Sequence, residues 1–174
     1  MSQISLDFTV DGEAQLSRYF DLAENVLEDM SPIFDEWSED FRHTMHNVFA
    51  SEGAFEGRPK WKQLSPAYRL WKDINYPGRP ILVRTGRMRG SLTDPWHPDH
   101  VHDIGPRAMS IGTKVPHSIF HQRGTVKMPQ RKVIELTEPQ KLRWVRAARR
   151  ITWEALDGLA REQGLVHNVK RIMR

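Results

Sequence analysis

The run His97-Pro98-Asp99-His100-Val101-His102-Asp103 holds the densest set of groups able to do chemistry, three imidazoles and two carboxylates. Those are ligand types that suit zinc or another divalent cation. Their order differs from the His-x-His-x-Asp-His of metallo-hydrolases. Pro95 and Pro98 also set the run in a surface loop, where polar side chains need no special cause. A metal-dependent hydrolase using His97 to His102 is therefore the remote reading. His43 with His46, and His117 with His121, are spaced to put both rings on one helix face. Neither pair has a His-Glu-x-x-His context or a third ligand, so solvated or partly buried rings account for them. Ser65, Ser91 and Ser118 lack a Gly-x-Ser-x-Gly setting. Gly86-Arg87-Met88-Arg89-Gly90 is followed neither by Gly-Lys-Ser nor by the third glycine of a dinucleotide fold. No catalytic residue, cofactor site or metal site is assigned.

Basic residues are the stronger chemical signal. Arg84, Arg87 and Arg89 flank Thr85-Gly86, and Arg123, Lys127, Arg131 and Lys132 follow in one loop. With the arginines of the last helical segment they suit a phosphate-binding surface, on which Trp61, Trp71 and Trp96 would serve as stacking platforms. The competing account makes the tryptophans core or interface anchors and the arginines a solvated face. No helix-turn-helix, zinc-finger or RNA-recognition pattern accompanies the charge. A basic nucleic-acid-binding protein is thus the main alternative function.

The net charge of +4 hides a division: residues 1 to 52 carry twelve acids and two arginines, a net of −10, which leaves +14 on the remainder. The halves either neutralise each other within one fold or meet between copies, a heterologous contact that closes into a ring. A length of 174 residues suits one domain. The absence of cysteine excludes a disulfide framework and thiolate zinc sites. No apolar run nears the roughly 20 residues that span a bilayer, and the N-terminus lacks a signal-peptide layout. Synthesis in the cytoplasm, with no membrane and no small-molecule partner, is the expectation.

The elements that must position these residues follow from periodicity. Ile4 to Val10 alternates strictly and predicts a strand ended by Asp11-Gly12. Leu16, Tyr19, Phe20, Ala23, Val26, Leu27 and Met30 have helical spacing. Ser31-Pro32 then opens a second helix with the apolar face Phe34, Trp37, Phe41, Met45, Val48 and Phe49, stopped at Gly53. Ser65-Pro66 starts a short helix whose face is Leu64, Tyr68 and Trp71. Strands are expected at Ile81 to Val83, Arg89 to Thr93 and Arg131 to Leu136, with a hairpin from Val101 to Gly112 turning at Gly105-Pro106. A short helix is expected over Pro116 to Gln122. Thr137 with Gln140 resembles a capping box for a final helix bearing Trp144, Ala148, Ile151, Ala155 and Leu159, ended by Gly164. The prediction is an α+β fold: a small antiparallel β-sheet packed against long N-terminal and C-terminal α-helices, one domain over 1 to 164 and a basic tail over 165 to 174. The packing is expected through Trp37, Phe41, Trp144 and Ile151.

Four short motifs occur in a definite order: Gly57-Arg58-Pro59-Lys60-Trp61-Lys62-Gln63-Leu64-Ser65, Ile81 to Leu92 with its central Arg84-Thr85-Gly86-Arg87, Ile111-Gly112-Thr113, and His121-Gln122-Arg123-Gly124. Their order resembles that of the bacteriophage virion morphogenesis family, the neck and tail-completion proteins. The resemblance implies a non-enzymatic structural protein of the head-tail connector in the virion, copied as a ring around the neck axis. Its implied partners are the portal-side connector, the tail terminator and the tail tube, with DNA passing through the lumen. Candidate assembly contacts are Asp35, Glu36, Glu39, Asp40, Trp61, Arg84, Arg87, Arg89, Arg123 and Lys127.

Overall fold

The computed structural model describes residues 13–162. The strand expected over Ile4 to Val10 with its Asp11-Gly12 end, the Gly164 stop and the 165–174 tail lie outside the described residues. The fold is α+β, with helices α1 (Glu13–Glu28), α2 (Ser31–Ala50), α3 (Pro66–Asn75) and α4 (Arg87–Thr93) first. Strands β1 (His100–Ile104) and β2 (Met109–Thr113), then α5 (Ser118–Arg123) and α6 (Glu138–Glu162), complete it. No described helix is long and apolar enough to cross a membrane.

α2 is the spine of the main core. Phe41, Met45, Val48 and Phe49 fall on one helical stripe and meet Trp61, Ile81, Val83, Met88, Leu92, Val115 and Val133. Its start lies one residue before the expected position: Ser31 is already helical, Pro32 sits where its missing N–H costs nothing, and Asp29 accepts the Ser31 N–H at 2.9 Å. Gly53 terminates the turn for two reasons. Its φ is +96°, with its N–H on Val48 O at 2.8 Å, and an added Cβ would lie 2.7 Å from the Trp61 indole.

α6 begins at the expected cap, where Thr137 Oγ1 accepts the Gln140 N–H at 3.3 Å. Trp144 stacks on Trp37 with ring centroids 4.9 Å apart, and Trp37 Nε1 donates to Trp144 O at 2.9 Å. Farther along, Leu156, Leu159 and Ala160 close a second small core with Tyr19 and Leu22 of α1. The main contacts of α6 are thus with α1 and α2 rather than with the sheet, and Ile151 is only half-buried.

Among the described residues the sheet is one hairpin, with His100 opposite Thr113 and Ile104 opposite Met109. Three expected strands are corrected. Arg89 to Thr93 belongs to α4, because Met88 and Leu92, two alternation steps apart, are also four residues apart and share a helix face with Ser91. Ile81 to Val83 is a turn in which Val83 N–H meets Pro80 O at 3.0 Å and Leu82 takes φ +62°. Arg131 to Leu136 keeps the alternate burial of a strand, yet side chains rather than a neighbouring strand satisfy its backbone. Period-two burial describes which way residues point; it does not supply a hydrogen-bonding partner.

Candidate functional site

The first and fourth motifs are both hydrogen-bonded to residues 131–134, the second and third meet at Ser91 and Thr113, and Glu52 links the pairs, its main-chain O accepting the Trp61 N–H at 2.8 Å and its Oε1 the Ile81 N–H at 2.9 Å. Trp61 Nε1 donates to Lys132 O at 2.8 Å, and Arg58 Nη1 to Val133 O at 3.0 Å. Arg131 answers from the other side, giving Nε to Lys62 O at 2.7 Å and Nη2 to Gln63 O at 2.9 Å. Gln122 Oε1 accepts both Val133 N–H and Ile134 N–H, at 2.9 and 3.1 Å. Gly124 takes φ +75°, and an added Cβ would lie 2.9 Å from Gln130 N, so only glycine leads without strain into the turn closed between Thr125 and Met128. Ser91 Oγ meets Thr113 Oγ1 at 2.6 Å, tying α4 to β2.

Within this framework lies a cavity of about 810 Å³. α3 gives it Tyr68 and Lys72, the 82–88 segment gives Leu82, Arg84 and Met88, α5 gives His121, and the following loop gives Lys127, Met128 and Arg131. Burial pulls the His121 imidazole down to about 4, with His117 and Arg131 adding repulsion. His117 is lowered as well, by burial and then by Arg84 and Arg87. Both rings are therefore neutral at pH 7, and His121 Nδ1 has no hydrogen-bond partner among the described residues. Lys72 Nζ donates to Pro80 O at 2.5 Å, and burial lowers its pKa.

The histidine loop is spent on structure. Asp99 takes a two-point contact from Arg87, at 2.5 and 2.8 Å, which holds its carboxyl below the usual range. His100 is buried and its Nδ1 donates to Ser91 O at 2.8 Å, while His102 faces solvent. His97 Nδ1 accepts the Asp99 N–H at 3.1 Å. Among the described residues no group of three or more His, Asp or Glu side chains is placed to hold a metal ion. His43 and His46 are exposed on α2.

The candidate assembly contacts divide. Trp61 is corrected to a core residue, 5 % exposed, edge-on to Phe49 at 5.5 Å. Asp40 accepts Arg143 Nε at 2.7 Å, Trp144 Nε1 at 2.8 Å and Gln140 Nε2 at 3.2 Å. Burial alone would raise its pKa, and these donors outweigh it and hold it low. Glu36 pairs with Arg150, and Glu56 with Arg143. Part of the acidic N-terminal half is thus neutralised inside the chain by the basic C-terminal helix. Asp35 and Glu39 remain exposed, as do Arg84, Arg89, Arg123 and Lys127. Arg87 is exposed but paired with Asp99.

The feature sequence reasoning missed is the orientation of α3. Its one buried residue is Lys72, 3 % exposed, whereas Leu70 and Ile74 are 66 % and 72 % exposed. Trp71 also lies outside, stacked on Tyr68 at 5.5 Å. Leu70, Trp71 and Ile74 share the i, i+1, i+4 spacing of a single stripe, which was visible in the sequence; its outward direction was not. The chain matches no protein-family model, no curated protein and no solved structure with which it was compared.

Proposed function

We propose that the protein is a non-enzymatic structural component of a phage virion, a neck or tail-completion subunit that acts by docking around the head-tail axis. The observation that carries the docking part is the outward apolar stripe of α3, Leu70, Trp71 and Ile74, in the same segment as the ordered motifs. Exposed contiguous apolar surface of this kind marks a contact site. The phage assignment rests on the motif order, and it is supported by the hydrogen bonds that tie the motifs together directly or through Glu52 and residues 131–134. In this reading α3 contacts a portal-side connector, tail terminator or tube, and exposed Asp35 and Glu39 steer neighbouring copies toward basic surface.

Electron microscopy of particles made with the gene interrupted is the test. Filled heads and separate tails that fail to join are expected; normally joined, infectious particles would remove the proposal. The alternative, a basic nucleic-acid-binding protein, is favoured by the cationic lining of the cavity. It takes precedence if the purified protein binds DNA at physiological salt with a steep salt dependence.

A further inference from the structure

The cavity beneath α3 is lined by basic, hydroxyl and apolar residues and, among the described residues, by no Asp or Glu. Its charges differ in how they are compensated. Arg87 is matched by Asp99, and Lys72 lies within the field of Glu52. Arg131 is buried and hydrogen-bonded only to carbonyls, which fix its position without cancelling its charge. Arg84 and Lys127 have no carboxylate partner among the described residues. Three positive charges therefore border one concavity with no adjacent anion among the described residues, beside two imidazoles that stay neutral. Like charges gathered in a partly enclosed space repel one another, and an anion entering it is attracted more strongly than at an open surface.

Three uncompensated cations favour a dianion over a single carboxylate, and two guanidinium groups match the oxygens of a phosphoryl group. The volume, about 810 Å³, is in the range of small-molecule sites and exceeds what a bare phosphate fills. Leu82, Met88 and Met128 form apolar wall. Leu82 is held there by a left-handed backbone, φ +62°, a conformation leucine adopts only at some cost. We infer that this cavity binds a phosphate monoester, with Arg84, Lys127 and Arg131 around the phosphoryl oxygens and Leu82, Met88 and Met128 against the organic group. Arg131 is the preorganised member, because two of its guanidinium nitrogens are already fixed. Arg84 and Lys127 close from the turn after Val83 and from the Thr125–Met128 turn. The ester is either a free small molecule or the 5′-terminal phosphate of a nucleic-acid strand. The inference is independent of the virion assignment, since phosphate affinity neither requires nor reports head-tail joining.

Isothermal titration of the full chain decides it, with inorganic phosphate, a deoxynucleoside 5′-monophosphate, acetate, and one single-stranded oligonucleotide with and without a 5′-phosphate. Saturable one-to-one binding of the monophosphate is expected, at least about tenfold tighter than acetate and tighter than inorganic phosphate. The double variant Arg84→Ala, Lys127→Ala should weaken it at least about tenfold, while Arg89→Ala, an exposed cation outside the cavity, should change it less than about twofold. The His121 ring resonances should shift on addition of the monophosphate. Tenfold preference for the 5′-phosphorylated oligonucleotide over its hydroxyl form assigns the ester to a strand end; binding of the free monophosphate alone assigns it to a small molecule. Monophosphate binding no tighter than acetate overturns the inference. So does equal binding of both oligonucleotides that Arg89→Ala weakens as much as the double variant, because diffuse surface charge would then suffice.

Discussion

Helix α2 turns Phe41, Met45, Val48 and Phe49 inward and leaves Asp35 and Glu39 in solvent, whereas α3 buries Lys72 and leaves Leu70, Trp71 and Ile74 outside. The two helices are built from similar residue types, so composition does not explain the contrast. α2 is held by removal of its apolar stripe from water, about 1.5–3 kcal/mol for each large side chain fully buried. A ten-residue helix such as α3 is marginal by itself. It is held instead at its start by Pro66 after an extended Ser65 and along its inner side by the bond from Lys72 to Pro80 O. Its apolar surface contributes little inside the chain and stays available for a contact.

The sharpest test of this contrast is the α2 side. Phe49→Ala removes a ring that is 1 % exposed and touches Trp61, so a loss of about 3–5 kcal/mol is expected. Thermal unfolding should show a fall in Tm of roughly 10 °C or more. A shift under a couple of degrees would mean that α2 is not the spine of the core.

A smaller loss is expected at the polar seam between α2 and α6. Asp40→Ala leaves Arg143, the Trp144 indole and Gln140 without their shared acceptor, at a cost of about 2–3 kcal/mol. Asp35→Ala, one exposed carboxylate on the same helix, should lie within about 0.5 kcal/mol of the parent. Equal denaturation midpoints for the two variants would remove the distinction between acids used inside the chain and acids left in solvent.

That distinction marks where the sequence was legible. The α2 stripe, the Ser65-Pro66 and Thr137 starts, the Gly53 stop and the hairpin are local patterns, and each was found in place, whereas on α1 the buried residue is Leu22, outside the expected face, with Phe20 and Leu27 exposed. The strand at 131–136 was not found, because its alternation is real but its partners are the side chains of Arg58, Trp61 and Gln122, from segments distant in sequence. Arg84, Arg87, Lys127 and Arg131 were recognisable as a basic set, yet their meeting around one cavity with Lys72 depends on tertiary packing. The division of the −10 and +14 halves into paired and free charges is likewise a property of the folded surface.

Acid probes the cavity side of α3. His121 is depressed to about 4 by burial, next by His117 and Arg131, so between about pH 6.5 and 4 the unfolded chain binds a proton that the folded chain refuses. The contribution of this group is therefore nil above about pH 6.5, grows more unfavourable as pH drops through that window, and levels off below it, where loss of the depressed Asp40 and Asp99 carboxylates takes over. Discounted for solvent screening, the effect is on the order of 1–2 kcal/mol. Chemical denaturation at pH 7 and pH 4.5 measures it, and His121→Gln should flatten most of the slope, leaving the smaller part due to His117. An unchanged slope in that variant would place the ring in solvent rather than against the cavity.

The smallest stability effect belongs to α3, and there it is the smallness that discriminates. Leu70 and Ile74 are largely exposed, so the double change Leu70→Ser, Ile74→Ser removes almost no buried surface and should move stability by less than about 0.5 kcal/mol per site. A helix that used its apolar stripe as α2 does would lose several times more. If α3 is instead a docking element, the cost appears only when a partner is present. Under the proposed neck role, particles made with the double variant should then show filled heads and tails that join poorly, while the purified chain melts as the parent does. Poor melting would show that the stripe is covered within the chain, and the contrast with α2 would be lost. Parent-like melting together with full infectivity and normal occupancy of the neck would leave the inverted helix in place but without a docking role, because contacts made by Leu70 and Ile74 in the particle would have been removed without effect.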